Sequence, residues 1–310
     1  PVAAAFQQAE VPLSAVSILI TPLESPTQGK NTLQKPRLSH RANAEMNPAS
    51  VMKLITTSAG LSILGPDFTW RNRVLMDGPV INGVLQGNLY LKGSGDPKLV
   101  VERLQSLLQD VMAKGLKEVK GDIILDASVF DLQTKSAASF DDEPLRPYNV
   151  APQGLLLNFN AMLFKFSPDP ALGIAKIEGE PPLANVQWPT SVPLASGPCQ
   201  DWRSQLRADF SQAESVRFQG AYIASCGEQK WPVAYVQPNT FAPRMVQAMW
   251  AQAGGKLKGQ VRAGITPVQA KLWHDAPSLP LSDIVADINK FSNNVMAQQL
   301  FLTLSSQKAP

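Results

Sequence analysis

Apolar residues recur at helical spacing in five stretches of the chain and cluster in short branched runs elsewhere. The helical stretches are residues 50–65, 99–114, 241–254, 280–290 and 292–304. The branched runs predict strands at 11–23, 70–76, 84–91, 119–125 and 269–273. Residues 155–237 carry further short strand-like runs separated by many turns, which is typical of an antiparallel domain. The pattern therefore predicts a mixed α/β (α+β) protein.

Length and charge narrow the class of protein. The chain has 310 residues, of which 44% are hydrophobic and 17% charged, as expected for a folded protein with a sizeable core. A net charge of only +3, without a basic stripe carrying aromatic residues, argues against nucleic-acid binding. No apolar run reaches the roughly 18 residues that a membrane span needs. Peripheral association with a membrane remains compatible with this composition, and the oligomeric state is left open.

The two cysteines favour an oxidising compartment. Cys199 and Cys226 lie 27 positions apart in a region rich in proline and glycine. A disulfide between them would close one loop and contribute about 3–4 kcal/mol by the loop-entropy estimate. Two cysteines and two distant histidines, His40 and His274, make a poor metal-ligand set. We therefore expect a disulfide, an extracytoplasmic location and neither metal nor cofactor.

The first chemical motif opens the helix predicted at 50–65. Asn47 can cap this helix and Pro48 suits its first turn. Ser50 and Lys53 are three residues apart, a spacing that places them on one face of a helix. A lysine whose pKa is lowered by burial can take the proton of a serine hydroxyl, and backbone N–H groups at the helix start can stabilise an oxyanion. Because Ser-x-x-Lys also arises by chance, the motif alone does not identify an active site. The rest of the sequence has to show whether Ser50 and Lys53 are catalytic.

The second motif, Ser292-Asn293-Asn294, lies between the last two predicted helices. Ser292 can relay a proton between the Lys53 amine and a leaving amine, and Asn294 can hold a peptide-like carbonyl. The alternative is structural, with Ser292 an ordinary N-cap and Asn294 a first-turn residue.

Taken together, the two motifs resemble those of the penicilloyl-serine transferases, which are the penicillin-binding proteins and serine β-lactamases. The gap of 242 residues between Ser50 and Ser292 is similar to that of class C low-molecular-mass penicillin-binding proteins, the D-alanyl-D-alanine carboxypeptidase/endopeptidase family. The turn Gly93–Pro97, the strand Gly121–Asp126 and the paired cysteines also resemble that family. The resemblance covers about residues 12–304.

The resemblance implies a transpeptidase-like domain with two nested inserts. We expect residues 1–66 and 267–310 to form the penicillin-binding domain, 67–95 and 150–266 an inserted mainly-β domain, and 96–149 a small α/β domain nested inside it. The third family motif, Lys-Thr-Gly, does not occur in the chain, which stops 16 residues after Asn294. Either this chain is the N-terminal piece of a longer enzyme that carries the motif and most of the domain's sheet, or it is a truncated product.

The resemblance also implies a serine D-alanyl-D-alanine carboxypeptidase/endopeptidase acting on peptidoglycan stem peptides. Ser50 would be the nucleophile, Lys53 its base, Ser292 the proton relay and Asn294 the residue that orients the substrate amide. β-Lactams would be covalent inhibitors, and the location would be the periplasm or another extracytoplasmic part of a bacterial envelope. The acidic run Asp141–Glu143 is either a solvated loop or a contact for a substrate amine. A β-lactamase and a non-catalytic wall-binding protein are the alternatives.

Overall fold

The computed structural model describes residues 2–22, 35–132 and 136–307. The chain divides into two compact units, Pro1–Met52 and Lys53–Pro310. The first unit contains a short helix, α1 (Val2–Gln8), a 3-10 turn (Leu13–Ala15), the strands β1 (Ile18–Ile20) and β2 (Leu38–His40), and a second 3-10 turn (Ala49–Val51). The two strands pair antiparallel, with Ile18 opposite His40.

The second unit holds most of the chain. Its helices are α2 (Met52–Leu64), α3 (Val101–Ala113), α4 (Trp202–Gln205), α5 (Pro238–Gln252), α6 (Leu281–Phe291) and α7 (Asn294–Gln307). Helix α2 begins one residue before the second unit does. Its strands are β3 (Arg71–Met76), β4 (Val80–Ile81), β5 (Val84–Leu85), β6 (Leu89–Lys92), β7 (Glu118–Val119), β8 (Ile123–Asp126), β9 (Ala161–Asp169), β10 (Ile174–Glu180), β11 (Ser191–Ala195), β12 (Ala208–Gln212), β13 (Ser215–Phe218), β14 (Tyr222–Ile223), β15 (Gln229–Ala234), β16 (Lys256–Leu257), β17 (Val261–Ala263) and β18 (Lys271–Pro277).

The described strands of the second unit form four sheets. One five-stranded sheet has the order β17-β8-β6-β3-β18, and a four-stranded sheet has the order β16-β7-β5-β4. A second five-stranded sheet, β14-β11-β10-β9-β15, lies beside the pair β12-β13. The parallel pairing of β6 with β8 requires a crossover, and α3 supplies it. The mixed α+β class predicted from the sequence is confirmed.

Three glycines lie next to one another where neighbouring strands of two of these sheets are interrupted. The runs 84–91 and 119–125, each predicted as one strand, are each divided, into β5 and β6 and into β7 and β8. Gly121 donates its N–H to the Gly87 carbonyl at 3.0 Å, and Gly259 donates to Gly121 at 3.2 Å. A Cβ on Gly121 would lie 2.7 Å from the Gly87 oxygen, so only glycine allows this approach. The neighbouring strands therefore pass together from one sheet into the next.

An aromatic cluster and a disulfide stabilise the antiparallel sheet. Phe166 on β9 stacks on Tyr222 with ring centroids 5.5 Å apart and meets Trp202 edge to face. Cys199 and Cys226 are bonded, which confirms the predicted disulfide. The cystine therefore ties together a region that already has a buried core.

The candidate site is carried by a helical layer formed by α2, α6 and α7. A buried cluster joins these helices, consisting of Trp70, Leu281, Ile284, Ile288, Met296, Ala297 and Leu300. The Trp70 indole N–H donates to the Thr303 hydroxyl at 2.8 Å, so the one polar atom of this buried ring has a partner.

All five predicted helices are present, with ends shifted by a few residues. In the run 11–23, the strand is limited to β1 and follows a 3-10 turn, while residue 23 lies outside the described part of the chain. The division of the chain into a transpeptidase-like domain and two nested inserts remains a prediction.

Candidate active site

Ser50 occupies the 3-10 turn Ala49–Val51 in the first unit, and its side chain is exposed. The Asn47 carboxamide oxygen accepts the Ala49 N–H at 2.9 Å, so Asn47 supports this turn as the sequence suggested. Ala49 has a φ of 44°, a left-handed backbone that non-glycine residues seldom adopt.

Lys53 and Ser292 meet in the second unit. Lys53 lies in the first turn of α2, and its Nζ donates to the Ser292 Oγ at 3.3 Å. The two residues are 239 positions apart along the chain, so only the tertiary fold brings them together. Partial burial disfavours the charged ammonium and lowers the pKa of Lys53 from its ordinary value. The contact therefore links an amine suited to proton transfer with a hydroxyl that can relay a proton.

The backbone at Ser292 explains how its hydroxyl reaches Lys53. Ser292 follows the last residue of α6 and adopts a left-handed conformation, with φ 52° and ψ 39°. The next residue, Asn293, donates its N–H to the Ile288 carbonyl at 3.1 Å, a pattern common where a helix ends in a left-handed residue. The chain thus turns sharply out of α6 at Ser292.

Asn293, and not Ser292, caps the following helix. The Asn293 carboxamide oxygen accepts the Met296 N–H at 3.0 Å, which is the usual N-cap arrangement. Ser292 is therefore not the cap that the structural alternative required. Asn294 is the first residue of α7 and is half-buried, two positions after Ser292.

The acidic run has two different environments. The Asp141 carboxylate accepts from the Tyr148 hydroxyl at 2.8 Å and from the Asn149 amide at 2.6 Å. These hydrogen bonds lower the pKa of Asp141, and the bond from Tyr148 has the larger effect. Glu143 is exposed and has Arg146 at 3.5 Å. Both carboxylates are exposed, but Asp141 orders the loop through its hydrogen bonds, whereas Glu143 has Arg146 beside it.

Sequence reasoning missed one contact in this region. The Asn289 amide nitrogen donates to the Thr57 hydroxyl at 3.3 Å, joining α6 to α2 a second time. The only signal in the sequence is the spacing, because Thr57 is four residues after Lys53 and Asn289 three before Ser292. Polar residues at such positions are common on solvated helix faces, so spacing alone does not identify the pair.

Neither membrane spans nor metal clusters are found in the part of the chain that the structure describes. No helix among residues 2–22, 35–132 and 136–307 is both long and apolar enough to cross a bilayer. Within the same ranges, no three histidine, cysteine or acidic side chains gather closely enough to hold a metal ion.

Known proteins resemble this chain over nearly its whole length. A curated D-alanyl-D-alanine carboxypeptidase DacB of Haemophilus influenzae is 26% identical over 263 residues, covering 83% of this chain and 53% of that protein. A D-alanyl-D-alanine carboxypeptidase of Actinomadura sp. strain R39 is 27% identical over 290 residues, covering 87% of this chain and 52% of the other. The chain thus spans about half the length of these curated relatives.

Solved structures agree in fold. Penicillin binding protein 4 (dacB) from Haemophilus influenzae superimposes with a TM-score of 0.67 at 23% identity, covering 87% of this chain and 59% of that structure. A structure of the same protein complexed with a novel β-lactam gives 0.57 at 25% identity, covering 83% of this chain and 54% of that structure. These matches show the predicted penicillin-binding-protein fold.

A protein-family model matches almost the whole chain. The model of the D-Ala-D-Ala carboxypeptidase 3 (S13) family matches residues 2–310. The chain therefore belongs to the D-Ala-D-Ala carboxypeptidase 3 (S13) family.

Proposed function

We propose that the protein containing this chain is a serine D-alanyl-D-alanine carboxypeptidase/endopeptidase of the bacterial envelope. Its substrates are the stem peptides of peptidoglycan, and β-lactams acylate it because they mimic those peptides. The observation that supports the proposal most is the 3.3 Å contact between Lys53 and Ser292, since both residues were singled out by motif alone. Family membership and the carboxypeptidase relatives support the same activity.

The chemistry follows from the properties of each side chain. Lys53 in its uncharged form takes the proton of the Ser50 hydroxyl, and the Ser50 Oγ attacks the carbonyl carbon of the D-Ala-D-Ala bond. The carbon–nitrogen bond breaks as a proton passes from the Lys53 ammonium through Ser292 to the departing D-alanine amine. Water then hydrolyses the ester on Ser50, which releases the shortened peptide and restores both groups. Asn294 orients the amide of the acyl chain.

The acidic loop provides a contact for the stem peptide. Asp141, Asp142 and Glu143 are all exposed, and a substrate amine such as that of a diaminopimelate side chain is a suitable partner for their carboxylates. Location outside the cytoplasm agrees with the disulfide, since such bonds persist in oxidising compartments. The periplasm is the compartment that we propose.

The decisive experiment is acylation by labelled penicillin, followed by intact-protein and peptide mass spectrometry. We expect one stable adduct on Ser50 and release of D-alanine from a pentapeptide substrate. Ser50→Ala should abolish both with little change in melting temperature, because the Ser50 side chain is exposed. Ser58→Ala, a change of another exposed serine on α2, is the matched control and should label normally.

Other outcomes identify the alternatives. Rapid turnover of penicillin without a lasting adduct would indicate a β-lactamase. An absence of adduct and of D-alanine release in the full-length protein would contradict both enzymes and favour a non-catalytic wall-binding protein.

A further inference from the structure

In the described part of the chain, two polar contacts that lie one helical turn apart join helices α2 and α6. The first is the Lys53–Ser292 contact, and the second joins the Asn289 amide to the Thr57 hydroxyl, both at 3.3 Å. Residues four apart on α2, or three apart near the end of α6, occupy one face of their helix. The two helices therefore run antiparallel here, and the second contact lies directly behind the first.

The Thr57 hydroxyl both accepts and donates a hydrogen bond. It accepts from Asn289 and donates to the Leu54 carbonyl at 3.3 Å, while the residue is only 1% exposed. A hydroxyl held at both ends is fixed in direction. Asn289, on the exposed side of α6, therefore meets an acceptor whose direction is set by its own hydrogen bond.

Apolar packing alone does not set the register of α6. The face of α6 that contains Ile284 and Ile288 is buried in the cluster shared with α7, but such contacts are not directional. A hydrogen bond restricts sliding and rotation, because its energy depends on distance and angle. The Lys53–Ser292 distance is already near the upper end of the hydrogen-bond range, so a small shift of α6 would break it.

We propose that Thr57 and Asn289 form a positioning pair that holds α6 in register with α2 and so keeps Ser292 within reach of Lys53. The pair would act through Lys53 and Ser292, the residues that it positions. The inference rests on the proposed function, since it assigns the pair a purpose only if Lys53 and Ser292 transfer protons. Displacements near 1 Å reduce catalytic rates by about a hundredfold, so the expected effect is large enough to measure.

The test uses the full-length protein and separates binding of a chromogenic β-lactam from its acylation step. Thr57→Val keeps the shape of Thr57 but cannot accept the amide, and Asn289→Leu removes the donor. In each variant we expect the limiting acylation rate to fall by at least about tenfold, with the binding constant unchanged. The double variant should be no slower than either single one, because both remove the same contact. Thr57→Ser retains the hydroxyl and should restore the rate.

A control on the same helix separates positioning from general destabilisation. Asp287 on α6 forms an ion pair with Lys98, which precedes α3. Lys98→Met removes this contact without changing the link to α2. We expect a lower melting temperature and an unchanged limiting acylation rate.

The outcomes are distinguishable. A wild-type protein that carries no adduct on Ser50 would overturn the proposed function itself. Labelling of Ser50 at the wild-type rate in both Thr57→Val and Asn289→Leu would overturn the positioning pair alone. The positioning pair would also be overturned if Thr57→Val and Asn289→Leu slowed acylation no more than Lys98→Met does. It would equally be overturned if Thr57→Ser did not restore the acylation rate. Asn289 is exposed, so its variant is expected to fold even if Thr57→Val does not.

Discussion

The hydroxyl of Ser292 is carried on a backbone conformation that most residues avoid. A left-handed residue other than glycine costs roughly 1–2 kcal/mol, yet the position is held by serine with φ 52°. The Asn293 cap of α7 and the buried face of α6 fix the chain on either side of this residue. Backbone strain is therefore accepted at the one position where the hydroxyl meets Lys53.

Ser292→Gly separates the backbone effect from the chemical one. Glycine adopts the left-handed conformation without steric cost, so we expect the melting temperature to stay the same or rise. Acylation by penicillin should slow by about a hundredfold or more, because the proton relay is lost. Ser292→Ala is the comparison and should be equally slow but less stable than the glycine variant. Calorimetry and stopped-flow acylation measure the two effects, and a fast glycine variant would contradict the relay.

The pKa of Lys53 predicts how acylation depends on pH. Burial lowers this pKa, so the acylation rate should rise with pH and level off at a pH below the ordinary lysine value. The folded protein binds the Lys53 proton less tightly than the unfolded chain does. At pH values between the pKa of Lys53 in the folded protein and its higher pKa in the unfolded chain, the contribution of Lys53 to stability therefore increases with pH.

Lys53→Met tests both parts of this argument. We expect it to abolish acylation and to leave the melting temperature at neutral pH unchanged or higher, since a partly buried charge is removed. A pH–rate profile that levels off only at the value of a solvent-exposed lysine would contradict the assignment.

The candidate residues could be found from the sequence because each motif is short and local. Ser50 and Lys53 are one turn apart, and Ser292 and Asn294 adjoin a helix end. The Thr57–Asn289 contact could not be predicted, because it depends on how two distant helices pack. The choice of Asn293 over Ser292 as the cap depends on a left-handed residue that no local pattern specified.

At the scale of elements, α2 departs from an ordinary amphipathic helix. Its apolar residues Leu54, Ile55 and Ile63 are exposed among the described residues, whereas Thr57 and Gly60 are buried. The sequence predicted an apolar helix but not which side would be covered. The reason is steric, since small and polar residues let α6 and α7 approach α2 closely.

Gly60→Ala should destabilise the protein although alanine favours helices. Alanine gains about 1 kcal/mol in helix propensity, but its Cβ would lie 3.0 Å from a methyl carbon of Leu300. Leu300 is fully buried, and overpacking of such a site costs about 1–3 kcal/mol. We therefore expect a net loss in the free energy of unfolding, measured by denaturant titration. Ser58→Ala, on the exposed side of α2, should stabilise slightly, and a stabilised Gly60→Ala would show that α7 moves away freely.

Helices were predicted more reliably than strands for a physical reason. A helix satisfies its own hydrogen bonds, so its apolar period appears within one segment of sequence. Strand limits depend on neighbours, and the break at Gly87 exists because Gly121 and Gly259 pack alongside it. The sequence contains these glycines but not their alignment.

At the scale of the molecule, the disulfide should contribute stability that is separate from activity. The loop between Cys199 and Cys226 contains neither Lys53 nor Ser292, and its closure is worth about 3–4 kcal/mol. Reduction should lower the melting temperature by roughly 5–6 °C. Labelling by penicillin at 25 °C should continue. A Cys199→Ala, Cys226→Ala variant should not respond to reductant, and an unchanged melting temperature in the wild type would contradict the expected contribution.

The distance in sequence between Lys53 and Ser292 has a consequence for biosynthesis. A ribosome adding about 5–20 residues per second needs roughly 10–50 s to make the 239 positions between them. During that time the amine and the hydroxyl cannot meet, because the part of the chain that carries Ser292 has not yet been made. A chain that ends before Ser292 therefore lacks this contact, and under the proposed mechanism we expect penicillin to acylate it slowly or not at all.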